Sequence, residues 1–364
     1  MTSSLFTPIT LRGTTIPNRI WMAPMCQYSA EAAGPAVGVP NDWHLQHYGA
    51  RAVGGPGLIL VEATAIAPEG RISPYDLGIW NDAQVEGHRR LTAFMRGQGV
   101  VPGIQIAHAG RKASTDSEAH GGSPLGETEG GWQTVAPSAI AFSDDHAVPH
   151  ELSVEEIRGV ATAFADAATR AIAAGYEVIE VHAAHGYLVH EFLSPASNRR
   201  EDAYGGVFEH RARFAIEIAD TVRAAVGDRV PVLFRLSATD WIEPDGWTAD
   251  ETVRLAALLR EHGVDLLDVS TGGNLPAAGI PVGPGYQVPF AARIRRETGM
   301  PTAAVGIITE PQQAEKILAD DEADAVLLGR ELLRNPYWPR QAAHELGAVH
   351  PLPRQYRRAE PKRA

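Results

Sequence analysis

The sequence predicts an α/β fold: a single (β/α)8 TIM barrel with elaborated loops on its C-terminal face. Three observations carry this. Eight short runs rich in Val, Ile and Leu recur along the 364 residues, and stretches of helical periodicity separate them. No linker, repeat or low-complexity tract divides the chain, so 1–364 reads as one domain. An open doubly wound sheet is the competing topology. Its fingerprint, Gly-x-Gly-x-x-Gly after a first strand, follows neither early strand, and Gly54-Gly55-Pro56-Gly57 precedes one instead.

The predicted strands are 19–23, 57–62, 100–107, 177–182, 230–236, 264–270, 301–306 and 325–329. Their hydrophobicity is continuous rather than alternating, which suits parallel strands buried on both faces. In the segment 154–174, Ile157, Val160, Ala161, Phe164, Ala168 and Ile172 fall at three- and four-residue steps, so it reads as an amphipathic helix. Ser153 and Glu156 open it as a capping box. Another helix opens with Thr309 as N-cap and Pro311 in its first turn. A typical barrel needs about 250 residues, so the surplus sits in loops. The largest, 109–150, follows the third strand as a lid or capping insertion; a second, TGGNLPAAGIPVGPG, follows the sixth.

Composition narrows the function. Against 44 acidic residues stand 32 Lys+Arg, a net charge of −12, which speaks against binding nucleic acid or an anionic membrane surface. Lysine is confined to Lys112, Lys316 and Lys362, which limits Schiff-base chemistry. The single cysteine, Cys26, excludes an internal disulfide, a Cys-ligated zinc site and an iron–sulfur cluster. No apolar run approaches the roughly 20 residues that span a bilayer, and the N-terminus lacks the pattern of a signal peptide. A soluble, cytoplasmic setting is expected.

Barrel enzymes build their working face from residues just past the strand ends. Here the first strand leads into Ala23-Pro24-Met25-Cys26-Gln27-Tyr28, the second ends in Glu62-Ala63-Thr64, and the third contains Gln105. His182-Ala183-Ala184-His185-Gly186-Tyr187 closes the fourth and Arg235 the fifth, while Gly306 follows the seventh and Gly329-Arg330 the eighth. Glycine after the seventh strand and Gly-Arg after the eighth suit a phosphate site, because backbone N–H groups and an arginine fork converge there. Tight βα turns are the plainer reading of the same glycines. His182 and His185 form no His-Glu-x-x-His pattern, and no metal is expected. As hydrogen-bond donors they suit a carbonyl oxygen or oxyanion, with Tyr187 to supply a proton. Lys112, several residues past its strand, is a poor aldolase nucleophile. Cys26 is open between a covalent nucleophile and a buried structural thiol.

Together the segments NRIWMAPMCQY, NDWHLQHYGARAVGGPGLILVEATAIAPEGR, PGIQIAHAGRKA, IEVHAAHGYLVHEFLSPASNRREDAYGG, LFRLS and LLGRELLRNP resemble the old yellow enzyme family of flavin-dependent ene-reductases. The match is to the bacterial branch with a cysteine beside the flavin, typified by the xenobiotic reductases, and it runs from residue 18 to 336. The resemblance implies a tightly, noncovalently bound FMN and NADPH or NADH as hydride donor, an NADPH dehydrogenase type of flavin oxidoreductase. Ala23, Pro24, Met25, Cys26, Ala63, Gln105 and Arg235 would contact the flavin ring or ribityl chain; Gly306, Gly329 and Arg330 would hold the phosphate. Cys26, as a polarisable sulfur or partial thiolate, would tune the flavin.

The implied substrate is a small α,β-unsaturated carbonyl compound. His182 and His185 would bind its carbonyl, the flavin would give hydride to its β-carbon, Tyr187 would protonate its α-carbon, and Tyr28 would shape the pocket. The alternatives are a non-catalytic flavin- or phosphate-binding barrel and, less favoured, a Schiff-base aldolase using Lys112. The tail 350–364 resembles a family segment that reaches a neighbouring subunit, with Arg358 at the position of an active-site arginine. This implies a homodimer or a dimer of dimers. The chain departs from the family there, continuing with Ala359 and lacking the usual terminal aromatic residue.

Overall fold

The computed structural model describes residues 3–242, 244–276 and 278–359. A hairpin of β1 (Ile9–Leu11) and β2 (Thr14–Ile16) precedes β3 (Ile20–Met22), α1 (Asp42–Gly54), β4 (Leu58–Ala65), α2 (Val85–Gly97) and β5 (Val101–Ala107). The long insertion follows and carries β6 (Val135–Ala136) and β7 (His150–Glu151). Then come α3 (Val154–Ala173), β8 (Val178–Ala183), α4 (Leu188–Leu193), α5 (Phe208–Val226), β9 (Val232–Ser237), α6 (Ala249–Glu261) and β10 (Leu266–Ser270). The chain ends through α7 (Val288–Thr298), β11 (Thr302–Ala304), α8 (Pro311–Ala319), β12 (Ala325–Leu328), α9 (Arg330–Arg334) and α10 (Trp338–Glu345).

The eight predicted strands are the eight staves of a closed parallel barrel, in the order β10-β11-β12-β3-β4-β5-β8-β9. Phe164, Ala168, Phe214, Ile218 and Phe234 belong to the apolar layer between helices and staves. A second, smaller core fills the barrel: Trp21, Leu58, Leu60, Val101, Val178, Leu233, Leu266, Ala303, Ala325 and Leu327. Leu11 and Ile16 of the hairpin join it and plug the N-terminal mouth. The sequence reading missed this hairpin, because three-residue strands fall below the length at which alternation is visible.

The capping box at α3 is present, with Ser153 accepting from the Glu156 N–H. At α8 the expectation needs correction. The N-cap is Glu310, without a side-chain cap, and Pro311 opens the helix. Thr309 instead donates its N–H to Gln313 Oε1 at 3.1 Å and accepts the Trp338 indole N–H at 2.7 Å. Its backbone is therefore spent on tertiary contacts. The insertion is not featureless either: short 3-10 turns lead to a two-residue parallel ladder, β6 on β7.

At the other end, the His350 ring packs on Phe6 at 5.4 Å, and Arg340 donates to Val53 O and Pro351 O at 2.6 and 2.8 Å. These contacts root the tail beside the C-terminal end of α1, near where β4 begins. Residues 360–364, the last of the predicted tail, lie outside the described residues. Among the described residues no helix is long and apolar enough to cross a membrane.

Candidate active site

Strand periodicity explains where the polar residues point. Val101, Val178, Leu233 and Leu266 face into the barrel, so positions two and four residues further on face inward too. Those positions are Gln105 on β5, Glu180 and His182 on β8, Arg235 and Ser237 on β9, and Asp268 and Ser270 on β10. The polar floor of the cleft therefore sits directly on the apolar filling. Gln105 and Arg235 lie inside their strands as predicted, and Ala63, expected just past the second strand, lies inside β4 as well.

The floor is charged. Gln105 Nε2 donates to Glu180 Oε1 at 2.8 Å, and Arg235 Nε lies 3.1 Å from Asp268 Oδ2. Burial pushes the Glu180 carboxyl well above the usual carboxylate range, the Asp268 charge adds to this, and Arg235 opposes it. Asp268 is likewise raised by burial and pulled back by Arg235. One guanidinium thus faces two buried carboxyl groups. Glu180 and Asp268 were missed, although an acid inside an otherwise apolar strand is a readable anomaly.

Above the floor, the turn after β8 gathers the predicted trio. The rings of His182 and His185 lie 5.2 Å apart, nearly perpendicular, and Tyr187 meets His182 edge-on at 4.8 Å. Burial, with help from the Arg235 charge, holds both imidazoles well below their ordinary pKa, so both are neutral. His185 sits at φ 59°, a conformation disfavoured for a residue with a Cβ. Its N–H donates to Ser237 Oγ at 2.9 Å and its carbonyl accepts from Lys112 Nζ at 2.9 Å, which hold the turn. Gly186 has φ 72°, and a Cβ there would stand 2.3 Å from Gly273 O, so only glycine lets the two loops meet.

Lys112 bridges the same loops, also donating to Gly273 O at 3.0 Å, with Nζ 5.1 Å from the Tyr187 ring centre. Burial lowers its pKa to about 8.

Cys26 is partly buried on the segment after β3. Burial pushes its thiol well up, Asp76 and Glu62 add to this, and a hydrogen bond with Tyr28 opposes it. Of the two forms expected of Cys26, this disfavours the partial thiolate and favours the neutral, polarisable sulfur. Glu62, placed by the sequence at the end of the second strand but given no role, accepts from the Gln27 N–H at 2.6 Å and the Tyr48 hydroxyl at 3.0 Å. Its carboxyl is raised to about 8 by burial.

Gly306 and Gly329 follow the neighbouring strands β11 and β12. Gly306 has φ 121°, and Arg330 is exposed as the first residue of α9. The Ala23 N–H donates to Leu328 O at 3.1 Å, and a Cβ on Gly329 would lie 3.7 Å from Met25 Sδ, so the Ala23–Met25 segment and the end of β12 are neighbours. Arg358 is not drawn to the histidines of its own chain. It is exposed on the tail, where Tyr356 packs near Tyr337 at 6.4 Å.

The NADH:flavin oxidoreductase / NADH oxidase family model matches residues 4–348. The chain is 49% identical over 358 residues to an NADPH dehydrogenase of Geobacillus thermodenitrificans (strain NG80-2), covering 98% of this chain and 99% of that one. Among solved structures it is similar to morphinone reductase, with TM-score 0.78 and 30% identity over 96% of this chain and 91% of that one. It is also similar to the old yellow enzyme homologue of Zymomonas mobilis, with TM-score 0.78 and 30% identity over 96% of this chain and 94% of that one.

Proposed function

Because the chain belongs to the NADH:flavin oxidoreductase / NADH oxidase family, as an old yellow enzyme relative that uses FMN with NADPH or NADH, we propose that it reduces the activated double bond of α,β-unsaturated carbonyl compounds. The observation that carries this is the convergence of His182, His185 and Tyr187, two neutral imidazoles and a phenol, above a floor that suits a flavin.

The floor fits the cofactor's chemistry. With its Nε2 spent on Glu180, Gln105 keeps Oε1 as an acceptor, while Arg235 Nε has no hydrogen bond and lies 3.1 Å from Asp268 Oδ2. These two would meet the polar edge of the ring, with Ala23, Pro24, Met25, Cys26 and Ala63 along its other contacts. Gly306, Gly329 and Arg330 would take the phosphate. A flavin held there would supply two-electron hydride chemistry, with NADPH or NADH as the donor and the β-carbon of the substrate as the acceptor.

This chain's own residues do the rest. Arg235 offsets the negative charge of a reduced ring. His182 and His185 hydrogen-bond the substrate carbonyl oxygen and draw electron density from the double bond, Tyr187 protonates the α-carbon, and Tyr28 lines the pocket. The insertion 109–150 contributes Lys112 to the cleft wall and acts as the lid. Two observations favour this reading over its rivals. The Lys112 ammonium is committed to two carbonyls, which removes the support for a Schiff-base aldolase. A barrel that only bound a flavin would have no use for the histidine–tyrosine trio.

Anaerobic mixing with NADPH tests the reading. The yellow protein should bleach, then recover its colour on adding an enone; bleaching with no recovery across a panel of enones and enals would refute it. His182→Ala should weaken phenol binding by about 1.5–3 kcal/mol, the cost of a hydrogen bond to a charged partner, while flavin stays bound; titration of the visible spectrum measures both. Cys26→Ala should remain folded and yellow with a shifted flavin potential, whereas a covalent nucleophile at this position would leave it inactive with every enone.

Arg358 completes a neighbouring subunit's pocket in a homodimer, consistent with its absence from the cleft of its own chain. Truncation after Leu352 should then raise the KM for enones without unfolding the barrel. A monomeric parent with an unchanged KM after truncation would exclude that role.

A further inference from the structure

His185 and Gly186 are consecutive left-handed residues, at φ 59° and 72°. A strained conformation of this kind persists only where its surroundings over-determine it. Ser237 and Lys112 hold the N–H and the carbonyl of His185, which leaves the Gly186 N–H. Gly186 is buried, so this donor needs an acceptor inside the protein. The N-cap of the helix that follows does not provide it. Tyr187 is the N-cap of α4, but its side chain makes no cap hydrogen bond, and its ring instead lies edge-on to His182. His190, the third residue of α4, takes over: the Gly186 N–H donates to His190 Nδ1 at 2.9 Å.

A backbone amide can only donate, so Nδ1 must be a lone pair and the His190 ring proton sits on Nε2. Asp240 supports that arrangement. Its Oδ1 lies 3.1 Å from His190 Nε2, neither side chain is exposed, and neither atom has another hydrogen-bond partner among the described residues. Asp240 Oδ2 is engaged elsewhere, accepting from Ser194 Oγ at 2.5 Å, the Trp247 N–H at 2.9 Å and Asn274 Nδ2 at 3.4 Å. Burial raises the Asp240 carboxyl, but the His190 ring, Ser194 and the Trp247 N–H outweigh it and hold its pKa at about 2, so it is ionised. The chain of contacts runs from the segment after β9 through one imidazole to the turn after β8.

We infer that His190, oriented by Asp240, is a positioning residue for the turn that presents His185 and Tyr187, holding the Gly186 N–H so that the left-handed pair keeps its shape. The clamp is a property of the fold; its consequence for the reaction rests on reading that turn as the carbonyl and proton-donor site. Both side chains are fully buried, and they act through the turn.

Substitutions at His190 separate a clamp from a filler. His190→Phe keeps the ring volume and loses the acceptor. His190→Asn loses volume but keeps an amide oxygen near the Nδ1 position. FMN-loaded variants are compared by hydrogen exchange of the Gly186 amide, by phenol titration of the visible spectrum and by reoxidation with an enone. His190→Phe should speed exchange about tenfold to a hundredfold, the effect of orphaning a buried donor, and weaken phenol binding and slow reoxidation about tenfold. His190→Asn should stay close to the parent in all three, although it leaves the larger void. Asp240→Asn decides the matter if His190→Phe fails to fold. Serving Ser194 and Trp247 with its one oxygen turns its NH2 toward His190 Nε2, which drives the ring proton to Nδ1 and against the Gly186 N–H. It should release the same amide, and long-range ¹H–¹⁵N correlations should find the His190 proton on Nδ1 in this variant and on Nε2 in the parent. A parent proton on Nδ1, or His190→Asn as damaging as His190→Phe, would overturn the inference. Should the amide respond in the expected order while the parent is reoxidised by no enone, the clamp stands and the ene-reductase reading falls.

Discussion

Tyr187→Phe is expected to slow reoxidation of the reduced protein by enones about 10²–10⁴-fold, the usual contribution of a positioned general acid, while hydride uptake from NADPH stays nearly unchanged. The substitution removes one oxygen. The ring keeps its edge-on contact with His182 at 4.8 Å and its place beside the Lys112 ammonium at 5.1 Å, so the turn that carries both histidines is preserved. Only the step that needs a proton at carbon should suffer. Stopped-flow measurement of the two half-reactions separates the cases, and an equal loss in both would remove the proton-donor role. Lys112→Met offers a companion measurement: with no cation beside the phenol, the tyrosinate left by proton transfer is harder to form, so reoxidation should slow in the same half-reaction.

Arg235→Met should cost roughly 3–5 kcal/mol of stability, the range for removing one partner of a buried ion pair. The guanidinium is the cation that both raised carboxyl groups share: it stands 3.1 Å from Asp268, and its charge also pulls down the pKa of Glu180. Its loss also gives the defect a pH signature. A carboxyl whose folded pKa lies above its unfolded value holds extra protons in the folded state, so stability falls as pH rises between the two values. Removing Arg235 takes away the influence that lowers both groups, raises their folded pKa further and widens that window upward. The melting temperature of the flavin-free variant should therefore lie furthest below the parent at pH 8 and recover part of the gap near pH 5.5. A gap that widens toward acid, or no gap at all, would contradict the shared-cation account. Arg235→Lys, which keeps the charge but not the fork, should lose less.

Much of the barrel was legible because parallel staves buried on both faces write themselves as apolar runs. All eight predicted runs became staves, although β4 continues to Ala65 and β11 stops at Ala304. The hairpin below the barrel was not legible: three residues per strand carry no period. The Thr309 cap failed for a different reason. Capping propensity is local, but Thr309 is recruited by Gln313 and Trp338, partners four and twenty-nine residues away.

The candidate site divides along the same line. His182, His185 and Tyr187 are close in sequence, so one turn sufficed to predict that they meet. Cys26 and Tyr28 were found for the same reason. Glu180 and Asp268 left a trace, an acid in an apolar run, and period-two alternation from Val178 and Leu266 would have aimed both inward. Lys112 was visible, but its two carbonyl partners come from loops 73 and 161 residues further along the chain. Ser270 left no trace, since a serine near a strand end is ordinary.

By itself, then, the sequence determined which residue types reach the C-terminal face of the barrel, because strand periodicity and short spacings are one-dimensional properties. Only the tertiary structure decided the state in which those residues arrive. The Cys26 pKa is raised because folding buries the thiol, and the charges of Asp76 and Glu62, from other parts of the chain, add to this. Two carboxyl groups are raised because the closed barrel buries them around one guanidinium. Protonation depends on desolvation and on charges within a few ångströms, and both are set by closing the sheet, which brings together groups that no window of sequence contains.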